Sequence, residues 1–313
     1  MNSELTQAKR SATIPIITGA TATGKSALAL ALAPRLNAEL ISCDSVQVYR
    51  GLNIATAKPT AEEQALIRHH LIDIAEPTEA YSVARFTRDV QVVIEDVLAR
   101  GKYPLLVGGT GMYISAVLEG IDYSILSGDS KTHERLAARL KSEGNIALWK
   151  ELSEFDPEAA AEIPQENTRR LLRALEVYYS TGRTKTEWDQ IRRKGPLYDF
   201  RLFSLEYPRE ELYKRIEQRA EKMLRNGLLD ETRYWQQLEL EPNLPAARII
   251  GYREMLTYLE GKSSLPESMD ELVRNTRRYA KRQLTWIRNK MSATSLPGGD
   301  LPAAMNLILR SLD

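Results

Sequence analysis

Three features of this 313-residue chain predict an α/β fold, a parallel sheet core carrying a helical insertion domain. The first is GATATGKS at residues 19–26, which fits G-x-x-x-x-G-K-[ST] and lies between an apolar run and an alanine- and leucine-rich helical stretch. The second is the alternation of strand and helix patterns through the first third of the chain. The third is a change of texture after Gly120, where a long, charged helical stretch interrupts the pattern before a strand returns.

The elements follow in order. Residues 14–18 form a short apolar strand, Lys25–Leu36 a helix, residues 39–43 a second strand and residues 70–74 a third. Residues 83–100 have helical periodicity closed by Gly101, and Tyr103–Val107 reads as a buried strand. The turn 108–111 then leads into a helix to about Leu118. Residues 130–194 are helical and charged, with turns at Gly144, Pro157, Pro164 and Gly182. Residues 200–206 alternate like a strand returning to the sheet, and the helix over 209–226 stops at Gly227. The expected division is a core of residues 13–122 and 196–292, an insertion of 123–195, and loosely attached termini, 1–12 and 293–313. No internal repeat or low-complexity segment interrupts this plan.

Bulk composition narrows the setting. Basic and acidic residues nearly balance, 43 against 42, so the net charge of +1 selects no partner. The hydrophobic fraction of 43% suits a globular protein, and no apolar run approaches the roughly 20 residues of a membrane span. Residues 1–12 are polar with no signal-peptide core, so a cytoplasmic monomer with no membrane partner is the expectation. The single cysteine, Cys43, excludes an internal disulfide framework, and with only His69, His70 and His133 a protein-built transition-metal site is not expected. The balance hides one asymmetry. Residues 274–290 hold seven basic residues and no acidic one, with Trp286 among them. Such a run is either an ordinary solvated helix face or a surface for a polyanion.

The glycine-rich segment sets the chemistry. Gly19, Ala20, Thr21, Ala22, Thr23 and Gly24 form a P-loop whose backbone N–H groups converge on an anion, joined by the positive N-terminal end of the next helix. Lys25 adds an ammonium and Ser26 a hydroxyl suited to a magnesium ion. The core is therefore P-loop NTPase-like, and the motif leaves open whether a nucleotide or another diphosphate binds. Two further clusters fall at strand ends, where such folds keep their chemistry. Asp44, Ser45, Val46 and Gln47 offer a general base or metal ligand and a base-reading amide, or simply a turn capping the strand. Gly108-Gly109-Thr110-Gly111 offers N–H groups and a hydroxyl to the same anion, or a plain tight turn. In the insertion, spacing puts Arg170 and Arg173, or Arg169 and Arg173, on one helix face, as a cluster of functional cations or as surface ion pairs with Glu166 or Glu176. Asp73 in LIDI has no adjacent catalytic acid and is not read as a metal-site strand, and Cys43 has no partner histidine and is read as a small buried residue.

GATATGKS, DSVQVYR, GLNIATAKPT, HHLIDI, GGTGMY, RALEVYYSTGR, IIGYRE and KRQLTWIR occur in this order between about residue 14 and residue 288. Together they resemble the tRNA dimethylallyltransferases. The resemblance implies transfer of the dimethylallyl group of dimethylallyl diphosphate to N6 of adenine 37 beside the tRNA anticodon, with magnesium. The cradle would then hold the isoprenoid diphosphate. Adenine N6 is a poor nucleophile because its lone pair is delocalised, whereas an allylic diphosphate ionises readily once its leaving group is stabilised. The loop N–H groups, Lys25, and magnesium on Ser26 supply that stabilisation, and Asp44 takes the N6 proton. By resemblance Thr110 lies against the bridging oxygen and Arg219 contacts the diphosphate.

A stacked adenine must be flipped out to reach such a site. Gln47 is then the residue that reads it, beside Ser45 and Val46. The implied RNA contacts are Arg169, Arg170 and Arg173, then Arg248, Gly251, Tyr252 and Arg253, then Lys281, Arg282, Gln283, Trp286 and Arg288. The chain departs from the family pattern in the insertion at Leu148-Trp149, at residues 164–167, and at His133, which stands near where relatives carry an arginine. Two related functions share parts of this pattern: adenylate isopentenyltransferases, which act on free adenine nucleotides, and P-loop nucleotide kinases. A kinase leaves DSVQVYR and the basic helix unexplained. A non-catalytic RNA-binding role leaves Lys25, Ser26, Asp44 and Thr110 without a purpose.

Overall fold

The computed structural model describes residues 13–123 and 130–312. Strands β1 (Thr13–Gly19), β2 (Ala38–Ser42), β3 (His69–His70), β4 (Tyr103–Val107), β5 (Asp199–Glu206) and β6 (Thr294–Pro297) form one parallel sheet, ordered β3-β2-β4-β1-β5-β6. Central β1 pairs with β4 at Ile16↔Leu106 and with β5 from Thr13↔Asp199 to Gly19↔Leu205. Its side chains alternate between faces, as strand geometry requires. Ile14 and Ile16 join one core with Leu106 and Phe86, while Ile17 joins another with Leu28, Phe203 and Leu205. β1, β2 and β4 are buried on both faces, which accounts for their near-continuous burial along the strand.

Around the sheet run helices α1 (Lys25–Leu36), α2 (Ala61–Leu66), α3 (Val83–Ala99) and α4 (Gly111–Glu119). The chain splits into two compact units, one of Glu119–Gly195 and the other of the remaining residues. Within Glu119–Gly195 lie α5 (Ser130–Phe155), broken at Gly144 by a φ of 81°, α6 (Pro157–Glu162), α7 (Thr168–Thr181) and α8 (Lys185–Ile191). Its own core is built from Leu136, Leu148, Leu152, Leu171 and Leu175. Leu148 is buried, the Trp149 indole donates to Ile163 O at 2.8 Å, and the Asn167 side chain caps α7 by accepting from Arg170 N. Helices α9 (Arg209–Arg225), α10 (Leu228–Gln236), α11 (Tyr252–Leu259), α12 (Leu265–Lys290) and α13 (Leu301–Leu312) complete the sheet unit. No helix among the described residues is long and apolar enough to cross a membrane.

Two expectations are corrected. The third strand was expected over residues 70–74, but only His69 and His70 pair, with Leu40 and Ile41. Leu71 and Asp73 adopt φ of 61° and 55°, and the chain turns so that Asp73 N bonds to Gln47 O and Ile74 N to Val48 O. The segment 293–313 was expected to be loosely attached. Instead β6 extends the sheet beside β5, and α13 buries Ala304 and Ile308, one turn apart, in the core with Leu28 and Leu32. The expectation for residues 1–12 lies outside the described residues.

Candidate active site

The site is assembled where β1, β2 and β4 end. Gly19 has φ 140°, and a Cβ there would sit 2.8 Å from Leu205 O, so the turn into the loop requires glycine. The Thr23 hydroxyl donates to Ala20 O at 2.9 Å and tightens the loop. Gly24, at φ 89°, opens α1 without a side-chain cap, which leaves the first-turn N–H groups for an anion. The Lys25 ammonium donates to Gly19 O at 3.0 Å and to Ala20 O at 2.7 Å. Burial, and then the Arg219 charge, lower its pKa to about 8, against the opposing pull of Asp44. Ser26 is exposed on the first turn of α1.

The second and fourth strands deliver the other two clusters as one unit. Cys43 N bonds to Val107 O at 2.7 Å and Thr110 N to Cys43 O at 3.2 Å. A Cβ on Gly108 would lie 2.2 Å from Cys43 O, so this approach also requires glycine. The Thr110 hydroxyl accepts from Ser45 N at 2.9 Å and donates to Ser45 Oγ at 3.2 Å. Asp44 Oδ1 accepts from Val46 N at 3.0 Å, which fixes the carboxylate. Burial and the adjacent Asp44 push the Cys43 thiol far above its ordinary range, so it is no nucleophile.

Helices α9 and α12 close the site. Arg219 Nη1 donates to Thr21 Oγ1 at 3.0 Å, and Arg215, one turn earlier, donates through Nε to Ala22 O at 2.8 Å while stacking on Tyr207. From α12 the Tyr279 phenol lies near the Thr110 hydroxyl, and burial, then the nearby Asp44 charge, raises its pKa, keeping it protonated. Neither Arg215 nor Tyr279 was singled out in the sequence. The available signals were four-residue spacings, Arg215 to Arg219 and Tyr279 to Gln283, which put each on the same helix face as a residue already chosen.

Two cavities meet at Asp44. One, of about 360 Å³, is lined by Lys25, Ser26, Gln47, Gly108 and Arg215. The other, of about 460 Å³, is lined by Ser45, Arg248, Arg253, Arg278 and Arg282. Thr21, Asp44, Thr56, Arg219 and Tyr279 line both. A carboxylate thus stands between a cavity floored by the glycine-rich loop and a chamber lined by arginines.

Several predicted contacts take different places. Gln47 was expected to read a base, yet its Oε1 accepts from Ser42 Oγ and its Nε2 donates to Thr56 O and Ala57 O, so the amide ties the loop to β2. Tyr252, expected to touch RNA, is buried in the core with its ring edge-on to Trp235. Gln283 is also buried, with both ends of its amide bonded inside the protein. Trp286 packs one side against Gly111 and donates to Ser115 Oγ at 3.0 Å, but stays 37% exposed and so keeps a surface on the solvent side of α12. In contrast Val46, Gly251, Arg248, Arg253 and Arg282 line the second cavity, and Lys281 and Arg288 are exposed on α12. Arg274 and Arg277 of the basic run pair with Glu271 and Glu217. In the separate unit, Arg173 and His133 both pair with the buried Glu176, Arg170 reaches Glu162, and Arg169 is exposed.

The chain is similar to known proteins over most of its length. Residues 47–290 match the family model described as IPP transferase, and residues 12–78 match one described as isopentenyl transferase. The chain is 45% identical over 278 residues to a tRNA dimethylallyltransferase of Bacillus velezensis, covering 89% of this chain and 88% of that protein. The crystal structure of the full-length tRNA isopentenylpyrophosphate transferase of Bacillus halodurans matches with a TM-score of 0.70 at 40% identity, covering 96% of each chain. A eukaryotic dimethylallyltransferase acting on tRNA matches with a TM-score of 0.79 at 29% identity, covering 96% of this chain and 78% of that one.

Proposed function

The chain belongs to the IPP transferase family and prenylates tRNA, and we propose that it does so with the diphosphate of dimethylallyl diphosphate in the first cavity and the acceptor adenine in the second. The product is N6-dimethylallyladenosine at position 37, and diphosphate leaves. The observation that carries this reading is Asp44, which lines both cavities. A base that must remove the N6 proton as the C–N bond forms belongs at that junction.

On the leaving-group side, the N–H groups of residues 19–26 and the Lys25 and Arg219 cations offset the charge that builds on the diphosphate as the allylic C–O bond breaks. Arg215 holds the loop apex through Ala22 O. The Thr110 hydroxyl, held by Ser45 N, sits against the bridging oxygen. Magnesium suits the donors present. The described residues contain no group of three or more His, Cys, Asp or Glu able to hold a metal, whereas a lone hydroxyl such as Ser26 plus substrate oxygens and water is a common magnesium shell. When bound, the ion adds charge neutralisation on the diphosphate.

On the acceptor side, Arg248, Arg253 and Arg282 meet phosphates around the flipped base, with Lys281 and Arg288 extending the basic track and Arg169, Arg170, Arg173 and His133 serving the RNA from the insertion. Such a substrate makes the cytoplasm the site of action. The basic second cavity favours RNA over a free nucleotide. The test offers purified protein labelled dimethylallyl diphosphate with unmodified tRNA, or with AMP, ADP or ATP. Label is expected on tRNA alone. Transfer to free nucleotide, or no transfer, overturns the reading.

A further inference from the structure

One buried residue of α12 touches both anion-facing loops. Gln283 Oε1 accepts from Thr21 N at 2.8 Å, and its Nε2 donates to Gly109 O at 2.8 Å. The residue is 6% exposed. The fit is close, because a Cβ on Gly109 would lie 2.2 Å from Gln283 Nε2. The same helix face continues the contact one turn to either side. Tyr279 reaches Thr110, and the Trp286 ring fills the space where a Gly111 Cβ would fall 2.5 Å from its Cδ1.

We propose that Gln283 is a positioning residue for the transfer reaction, a clamp that holds the P-loop against the glycine-rich turn at the spacing the diphosphate cradle needs. This rests on the reading that residues 19–26 hold the diphosphate. The chemistry is specific to a carboxamide. The Thr21 peptide offers a donor and the Gly109 peptide an acceptor, so the bridging group must accept at one end and donate at the other. A carboxylate has no donor for Gly109 O, and a thioether has neither function. Lys281, Arg282 and Arg288 on the same helix are exposed and cationic, whereas Gln283 is buried with both of its polar atoms bonded to the two loops.

The test uses the full chain with Gln283→Met and Gln283→Glu. Affinity for inorganic diphosphate with magnesium is measured by calorimetry, KM for dimethylallyl diphosphate by turnover, and tRNA affinity by filter binding. Q283M is expected to weaken diphosphate binding and raise that KM about tenfold, as loss of one or two buried hydrogen bonds implies, with tRNA affinity unchanged. Q283E is expected to be impaired at pH 8 and to recover relative to the wild type below about pH 6, because burial raises its pKa and the protonated carboxyl again both donates and accepts. Wild-type diphosphate affinity in Q283M, or weakened tRNA binding with KM unchanged, overturns the clamp, as does a Q283E-to-wild-type ratio that does not vary with pH. Failure of the wild type itself to bind diphosphate would instead remove the cradle reading beneath it.

Discussion

Lys25 Nζ lies 2.7 Å from the carbonyl oxygen of Ala20, folded back on the loop that presents it. Burial and the Arg219 charge bring its pKa to about 8, which makes this lysine a source of pH dependence. A bound diphosphate favours the charged lysine, so binding above pH 8 must take up a proton. KM for dimethylallyl diphosphate should therefore be flat below about pH 8 and rise up to tenfold per pH unit above it. Lys25→Arg, charged throughout, should abolish the rise. Steady-state kinetics from pH 7 to 10 decide this, and an unchanged break in K25R would assign it to another group.

Asp44→Asn should lower the transfer rate by about 10²–10⁴-fold. The amide oxygen still accepts from Val46 N, so the local turn and the tRNA affinity should persist. Rapid-quench transfer beside filter binding separates the two effects. A wild-type rate in D44N would remove Asp44 from the chemistry.

Arg215 and Arg219 grip successive parts of the P-loop, Ala22 O and Thr21 Oγ1. Arg219→Gln should reduce kcat/KM for dimethylallyl diphosphate by about 10²-fold, and Arg215→Gln by about tenfold, since the latter acts through the loop. If R215Q matches the wild type, Arg215 only packs on Tyr207.

Binding of tRNA should weaken with salt at a log-log slope of roughly −0.7 to −0.9 per phosphate contact. Arg282→Ala should reduce the magnitude of that slope by about one contact. Arg277→Ala should not, because this guanidinium pairs with Glu217. A total slope near −1 in the wild type would argue against the basic chamber as an RNA site.

Glu39 is buried between Arg100 and His70. Hydrogen bonds from Arg100, and then from His70, hold its pKa at about 2 against the opposing effect of burial. A carboxylate so depressed stabilises the fold fully above its ordinary pKa of 4.5, and this stabilisation is lost as pH falls toward 2. Glu39→Gln should cost about 1–3 kcal/mol at neutral pH, with the gap closing in acid. Thermal melting of both proteins at pH 7 and pH 3 checks it, and an equal gap at both would exclude the ionised pair as the source.

Much of the site could be read from local sequence, because a backbone anion cradle needs glycines at fixed offsets and a lysine directly after them. GATATGKS, Asp44 and Gly108–Gly111 each follow a strand, and the strand ends of a parallel sheet bring them together. The roles within α12 were not legible. Tyr279, Gln283 and Trp286 share the helix with the seven basic residues of 274–290, and one-dimensional spacing does not say which face meets the loops and which meets solvent. Gln283 therefore read as an RNA contact, and the same ambiguity put the buried Tyr252 on the surface.

The sequence by itself determined the alternation of strands and helices through the first third of the chain, the glycine-rich loop and the aspartate that follows β2, since these depend on residues within a few positions of one another. Only the tertiary structure decided that residues 294–297 join the sheet, that Arg215 braces the loop apex, and that Gln283 bridges Thr21 and Gly109, across sequence separations of 262 and 174 residues. A buried hydrogen bond over such a distance leaves no periodicity in the chain. It depends on which groups packing leaves without water and must pair with each other.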